Sequence, residues 1–346
     1  VVVQGSAGRE KTVLAKGPGV KSLLVSDAGY GIKDLAVAEP GKFKPGMGVC
    51  VLDEVYQDGW AVSVTSIKAI DGDTLRIDPM TIQDYNVASR KGWVQNTFPI
   101  LAGYGISGVT FENITVEGNR EQNEFMNGCR GGAIYLYQAT DCLIKNCVAR
   151  NFNGDGISVQ ITERVRVIGC ELYGMTGTGM HPGTGSPYCE VSDCHFHDND
   201  QDGFFLCWRV KHGEFTGNLI ENNGRNGISI GHKDTDNLFT GNRVVGNGLY
   251  GVYFRNETGD NSGHRNVFRN NTIADNGNAR QGAGFYIDPL AGDIVIENNR
   301  IADTRENESK RTQRYGVYRV KGAGPVTLKD NDMQGHTVAD FYDENK

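Results

Sequence analysis

The 346-residue sequence has no run of about 18 apolar residues, the length that a helical bilayer crossing requires. It has no excess of basic residues either. Lys and Arg number 35 against 42 Asp and Glu, a net charge of −7, which excludes the basic field that a phosphate backbone demands. Neither a membrane nor a nucleic acid is therefore an expected partner, and the oligomeric state stays open. Eight cysteines are present but no CxxC pair, so no structural zinc site of that kind, and no metal site, is expected. Apolar residues make up only 38% of the chain, little for one thick globular core.

Glycine, by contrast, is abundant at 47 residues and is accompanied by much Asn and Asp. These residues tolerate the positive φ of tight turns, which points to many short strands. The segments VTFENITVEGN, CLIKNCVARN, VRVIGCELYG, CEVSDCHFHDN, GEFTGNLIENN, NLFTGNRVVGN, NVFRNNTIADN, IVIENNRIADT and VTLKDNDMQGH stack without gaps. One column then reads Ile114, Cys147, Cys170, Cys194, Asn218, Asn242, Asn271, Asn299, Asn331, with steps of 23 to 33 residues. Each unit is followed by a second strand opened by glycine, among them GDGISVQ, GTGMHPG, QDGFFLCW and NGISIG. One such unit cannot bury its apolar side alone, whereas stacking buries a continuous core and pairs every strand with its neighbour.

Coils of this pattern resemble those of right-handed parallel β-helices, the fold of pectate lyases, polygalacturonases and phage tailspikes. The resemblance covers about residues 105–335 and implies an all-β fold of about 9–11 coils. The Asn column becomes an inward ladder, each amide bonding the next across roughly 4.8 Å. Cys147, Cys170 and Cys194 share that column and point the same way, poor geometry for a disulfide, so they are expected as core thiols. Cys50, Cys129, Cys142, Cys189 and Cys207 stay undecided.

Residues 1–38 are expected to form the first coils, 39–100 a small antiparallel β insert turning at Asp71-Gly72-Asp73, and 101–346 the main β-helix. The chain begins at Val1 without Met, which suggests removal of a leader and a secreted or periplasmic protein.

In a β-helix the inward residues are committed to packing, so function must use outward positions and turns. Alternation sends Ile157, Met180, Phe204 and Ile228 inward, and Ser158, His181, Phe205, Ser229 and Tyr253 outward. Asp155 and Asp202 precede the glycine-opened strands two coils apart, roughly 9.6 Å along the stack. An inverting hydrolase needs two carboxylates about 6.5–9.5 Å apart. Asp155, Asp202 and His181, with His232 and Lys233, are therefore the catalytic candidates. Gln160, Trp208, Arg209, Lys211, Asp234, Tyr253, Arg255 and Glu257 are candidates for binding an extended, acidic polysaccharide, through ring stacking and carboxylate pairing.

Polygalacturonases are similar in type, placing Asp, His and an Arg/Lys pair on neighbouring coils, although their NTD, DD, GHG and RIK motifs do not occur in order here. The first expectation is hydrolysis of a polysaccharide without a cofactor. The alternative is a lyase or uronate epimerase using His, Lys, Arg or Tyr; a lyase could add Ca²⁺ at Asp234, Asp236 and Glu257. A noncatalytic glycan-binding β-helix is the further alternative.

Overall fold

The computed structural model describes residues 1–6, 8 and 11–346. Three parallel sheets of ten strands each wind around one core, making the chain a right-handed parallel β-helix. One coil shows the plan: Leu143–Lys145 in the first sheet, Val148–Arg150 in the second and Ile157–Gln160 in the third. Only two residues separate its first two strands, Asn146 and Cys147. Asn146 has φ 50°, and Asn113, Gly169, Asp193, Gly217, Gly241, Asn270, Asn298 and Asp330 at the same corner also have positive φ. A Cβ crowds this left-handed region, and Asn, Asp and Gly tolerate it best. That corner accounts for much of the unusual composition.

The next residue turns inward, and here the expected ladder stands. The side-chain amides of Asn218, Asn242, Asn271 and Asn299 each donate to the Oδ1 of the following coil's Asn, at 2.9, 3.0, 2.9 and 3.1 Å. Each also donates to a backbone carbonyl, which satisfies an otherwise orphaned buried acceptor. A second ladder runs Asn199, Asn223, Asn247, Asn276, Gln313, its asparagines lying five residues beyond Cys194, Asn218, Asn242 and Asn271 of the first. Cys147, Cys170 and Cys194 continue the first ladder as buried thiols, and all eight cysteines are free.

Beside the first ladder the core holds a column of stacked side chains. Phe215, Phe239 and Phe268 follow one another at 4.9 and 4.4 Å between ring centroids and are fully buried. Each such ring contributes about 1.5–3 kcal/mol through burial.

A six-stranded antiparallel sheet forms the insert, with its own core around Val49, Ile67, Leu75 and Val94. Its hairpin turns between Asp71 and Thr74, with Gly72 at φ 58°. Of the segment 1–38, Val2–Gln4 and Val13–Ala15 lie in the coils. Lys21–Leu23 and Asp34–Ala36 do not; they pair antiparallel with Trp93–Gln95 and with residues 74–76 of the insert. Short apolar alternation serves either kind of sheet, and this segment lacks the corner followed by a ladder residue that marks a coil.

Candidate functional site

The outer face of the third sheet carries one row in register: Tyr135, Ser158, His181, then Phe205, Ser229, Tyr253, Tyr286, Tyr318 and Tyr342. Near its middle lies a cavity of about 410 Å³. Its floor is Asp155, Thr178, His181, Asp202, Phe205 and Cys207, and one wall is the segment Phe125–Cys129. Asp58 and Gly59 of the insert complete it, with Asp58 accepting from the Asn127 amide.

Asp155 and His181 form a buried dyad. Asp155 sits at the corner before its strand, and His181 points outward from the next coil. Asp155 Oδ2 is 2.7 Å from His181 Nδ1, and Asp155 Oδ1 accepts from the backbone N–H of Thr178 at 2.9 Å. A carboxylate in its ionised form only accepts, so the bond puts a hydrogen on His181 Nδ1, and the neutral imidazole in that tautomer has its lone pair at Nε2. Among the described residues His181 Nε2 has no hydrogen-bond partner, and neither has Thr178 Oγ1. The Phe205 ring meets the imidazole edge-on at 5.0 Å. Gly128 packs so closely over this pair that a Cβ there would lie 1.8 Å from Asp155 Oδ2 and 2.3 Å from His181 Nδ1.

Asp202 faces the same cavity two coils beyond Asp155. It accepts from the backbone and side-chain amides of Asn226 at 2.9 and 2.8 Å. Burial nonetheless holds its carboxyl above the usual carboxylate range, outweighing those bonds and the cations of Arg225 and Arg255. Asp155 is committed through both oxygens. The free carboxylate pair expected for inverting hydrolysis is therefore not presented.

His232, Trp208, Glu257 and Arg255 form a second cluster beside the cavity. His232 Nε2 lies 3.0 Å from Glu257, its Nδ1 3.3 Å from Cys207 Sγ, and the Trp208 ring stacks on it at 4.8 Å. Burial, helped by the Arg255 cation, pushes the imidazole down to about 4. Glu257 pulls the other way, but its own carboxyl is raised by burial, so burial has the greater weight.

Arg255 ties this cluster to the cavity. It donates to Leu206 O at 2.7 Å and Ser229 Oγ at 2.9 Å, reaches Glu257 at 3.3 Å, and lies 4.3 Å over the Phe205 ring. Arg209 and Trp208 are exposed, with Lys211 and Lys233 half-buried. Tyr253 lies three coils beyond His181 and donates to Asp288 at 2.6 Å.

Two expected substrate contacts are placed otherwise. Gln160 is fully buried, its Nε2 bonded to Ser158 Oγ, while Ser158 donates to Gly128 O. The segment carrying Gly128 covers both outward positions, which strand alternation alone does not reveal. Asp234 is also fully buried, accepting from the N–H groups of Val210 and Gly231, so it shapes the turn. Asp236 is paired with Arg265, Glu257 with Arg255 and His232, and Asp234 also lies 3.7 Å from Arg255, so each of the three carboxylates considered for Ca²⁺ already faces a cation. Among the described residues, the group of His, Cys, Asp or Glu ligands close enough to share an ion is Glu171, His195 and His197, on the second sheet.

A family model described as a right handed beta helix region matches residues 100–262, the part that holds this cavity's floor and its Phe125–Cys129 wall. No curated protein matches the sequence. Among solved structures the chain is similar to the A-module of mannuronan C-5 epimerase AlgE4 from Azotobacter vinelandii, at 15% identity and TM-score 0.54, over 72% of this chain and 76% of that one. It is similar at 14% identity and TM-score 0.53 to an alginate lyase from Paenibacillus sp. str. FPU-7, over 70% and 87% of the two chains. A third is the periplasmic alginate epimerase AlgG, at 12% identity and TM-score 0.49 over 66% of this chain; the match spans 61% of AlgG. The likeness is one of fold.

Several cavity residues carried no local signal in the sequence. Asp58 and Gly59 come from the insert, and Phe125, Asn127 and Gly128 from an irregular stretch between coils. Arg225, the exposed cation at the cavity, opens RNGISIG and reads as the start of a strand; its guanidinium bonds Gln201 at 3.2 Å.

Proposed function

We propose that this protein is a polysaccharide-modifying enzyme that removes the C5 proton of a uronate residue, acting outside the cytoplasm as an eliminating lyase. The observation that carries this reading is the buried Asp155–His181 dyad in the cavity floor, whose His181 Nε2 has no hydrogen-bond partner among the described residues. Asp155 holds the imidazole in the tautomer whose Nε2 can accept a proton and stabilises the imidazolium that forms. Arg225, which lines the cavity, pairs with the substrate carboxylate in this reading, which makes the C5 proton more acidic. Asp202, its carboxyl held up by burial, serves as the acid.

In elimination the C5–H electrons form the C4–C5 double bond, the C4–O4 bond breaks, and Asp202 supplies the proton to O4. The fold is shared with an alginate lyase and a mannuronan C-5 epimerase, which supports an acidic polymer as the substrate class. Hydrolysis is less well supported, because neither Asp155 oxygen is free to activate water.

Incubation with uronate, sulfated and neutral glycans in D2O tests the proposal, following the ultraviolet absorbance of unsaturated sugars, reducing ends and deuterium at C5. Unsaturation together with new reducing ends is the expected result. Deuterium without cleavage keeps the proton abstraction but makes the protein an epimerase. Reducing ends alone sink the proposal in favour of a hydrolase, and no signal on any polymer favours a binding module.

A further inference from the structure

His195 and His197 lie two residues apart on one strand of the second sheet, so both point outward from the same face. Register places Glu171 beside His195 on one flanking strand, and Glu221 beside His197 on the other. The contacts run along the diagonals. His197 Nε2 lies 3.4 Å from Glu171, and His195 Nε2 lies 3.0 Å from Glu221.

The two imidazoles stack with centroids 4.0 Å apart, and the Tyr173 ring backs His197 at 4.9 Å. One ligand atom each from Glu171, His195 and His197 lie within 4.8 Å of one another, and all three residues are partly buried. His197 Nδ1 is 2.7 Å from Asp198 Oδ2. A carboxylate behind a ring nitrogen fixes the tautomer and raises the basicity of the other nitrogen, an arrangement recurrent behind metal-bound histidines.

We propose that Glu171, His195 and His197 bind one divalent transition-metal ion of the zinc class. Two imidazoles and a carboxylate match Zn²⁺, Ni²⁺ or Cu²⁺, whereas Ca²⁺ prefers six or more oxygens. Tetrahedral Zn²⁺ with bonds of about 2.0–2.1 Å needs ligand atoms roughly 3.3 Å apart. Rotamer shifts of these partly buried side chains would have to close the observed spread, which lies within 4.8 Å, to that distance. The ion would link two successive coils, that of Glu171 and that of His195 and His197. It lies on a different sheet from the cavity, so this site stands or falls separately from the proton-abstraction chemistry.

Calorimetric titration of the full chain, stripped with chelator and then exchanged into metal-free buffer, tests the site with ZnCl2 and CaCl2. Wild type takes up one equivalent of Zn²⁺ in preference to Ca²⁺, and its thermal unfolding shifts upward with Zn²⁺. His195→Ala/His197→Ala weakens Zn²⁺ binding at least about tenfold. Unchanged affinity in the double variant, or no Zn²⁺ uptake by the wild type, overturns the assignment. Two further measurements hold even where the double variant folds poorly. Glu171→Gln lowers the Zn²⁺ affinity, and Cu²⁺ bound to wild type shows electron-spin coupling to two imidazole nitrogens. A Cu²⁺ spectrum without nitrogen coupling, or Zn²⁺ affinity indifferent to Glu171→Gln, counts against the site.

Discussion

Replacing Asn242 with alanine removes four side-chain hydrogen bonds from the centre of the first ladder. Its Oδ1 accepts from the backbone and side-chain amides of Asn218 at 3.0 and 2.9 Å, and its Nδ2 donates to Phe215 O at 2.8 Å and Asn271 Oδ1 at 3.0 Å. The residue is 2% exposed, so water cannot replace these partners without opening the coil. At about 1 kcal/mol net per bond the loss is about 4 kcal/mol, and the Asn218 N–H left without its acceptor pushes the figure upward. Coils contact only their neighbours, so the damage should be local at first.

Urea denaturation followed by circular dichroism gives the total loss, provided the m-value shows that a single transition persists. Hydrogen exchange at amides in the coils of Asn218 and Asn271 reads the local opening. A loss below about 1 kcal/mol at an unchanged m-value would refute the view that the ladder is a principal stabiliser of this helix.

Three further outcomes follow from the site. Asp155→Asn offers His181 an amide in place of a carboxylate, so the Nε2 lone pair is no longer assured; kcat on the polymer found by screening should fall about 10²–10⁴-fold, and an unchanged kcat removes His181 as the base. Gly128→Ala drives a methyl into the same dyad, and should abolish most activity while far-ultraviolet dichroism stays wild type; full activity would show that the covering segment moves away freely. Asp234 sets a pH dependence of stability, because burial pushes its carboxyl up to about 7. The native chain then binds a proton that the unfolded chain, near its ordinary value of about 3.9, has released. This contribution is fully present below about pH 4 and is lost as pH rises through about 7. The urea midpoint of Asp234→Asn should therefore gain on wild type between about pH 5 and about pH 8, and parallel pH profiles would contradict it.

The β-helix was legible because its cause is local and repeated. The corner at Asn146, Gly169, Asp193, Gly217 and Gly241 takes a left-handed backbone, and the inward residue after it must satisfy its amide within the stack, so both recur at a readable interval. The second ladder at Asn199, Asn223, Asn247 and Asn276 was equally regular, but it was hidden among turn residues of the same type. Alternation also sorted inward from outward correctly at Ile157, Met180, Phe204 and Ile228, all buried in the core.

Alternation did not show that Ser158 and Gln160 lie beneath the Gly128 segment, that Lys21–Leu23 pairs with the insert, or that Asp58 reaches the cavity. Those placements depend on contacts far apart in the chain, such as Ser158 with Gly128, Lys21 with Gln95 and Asp58 with Asn127, and no local pattern encodes them. The sequence by itself determined the coil, its corners and the ladder, because each is set by one residue's backbone preference and its nearest neighbours along the stack. Tertiary structure alone decided that Asp155 serves His181 rather than Asp202. That choice rests on which coils the side chains reach and on what the Gly128 segment leaves uncovered.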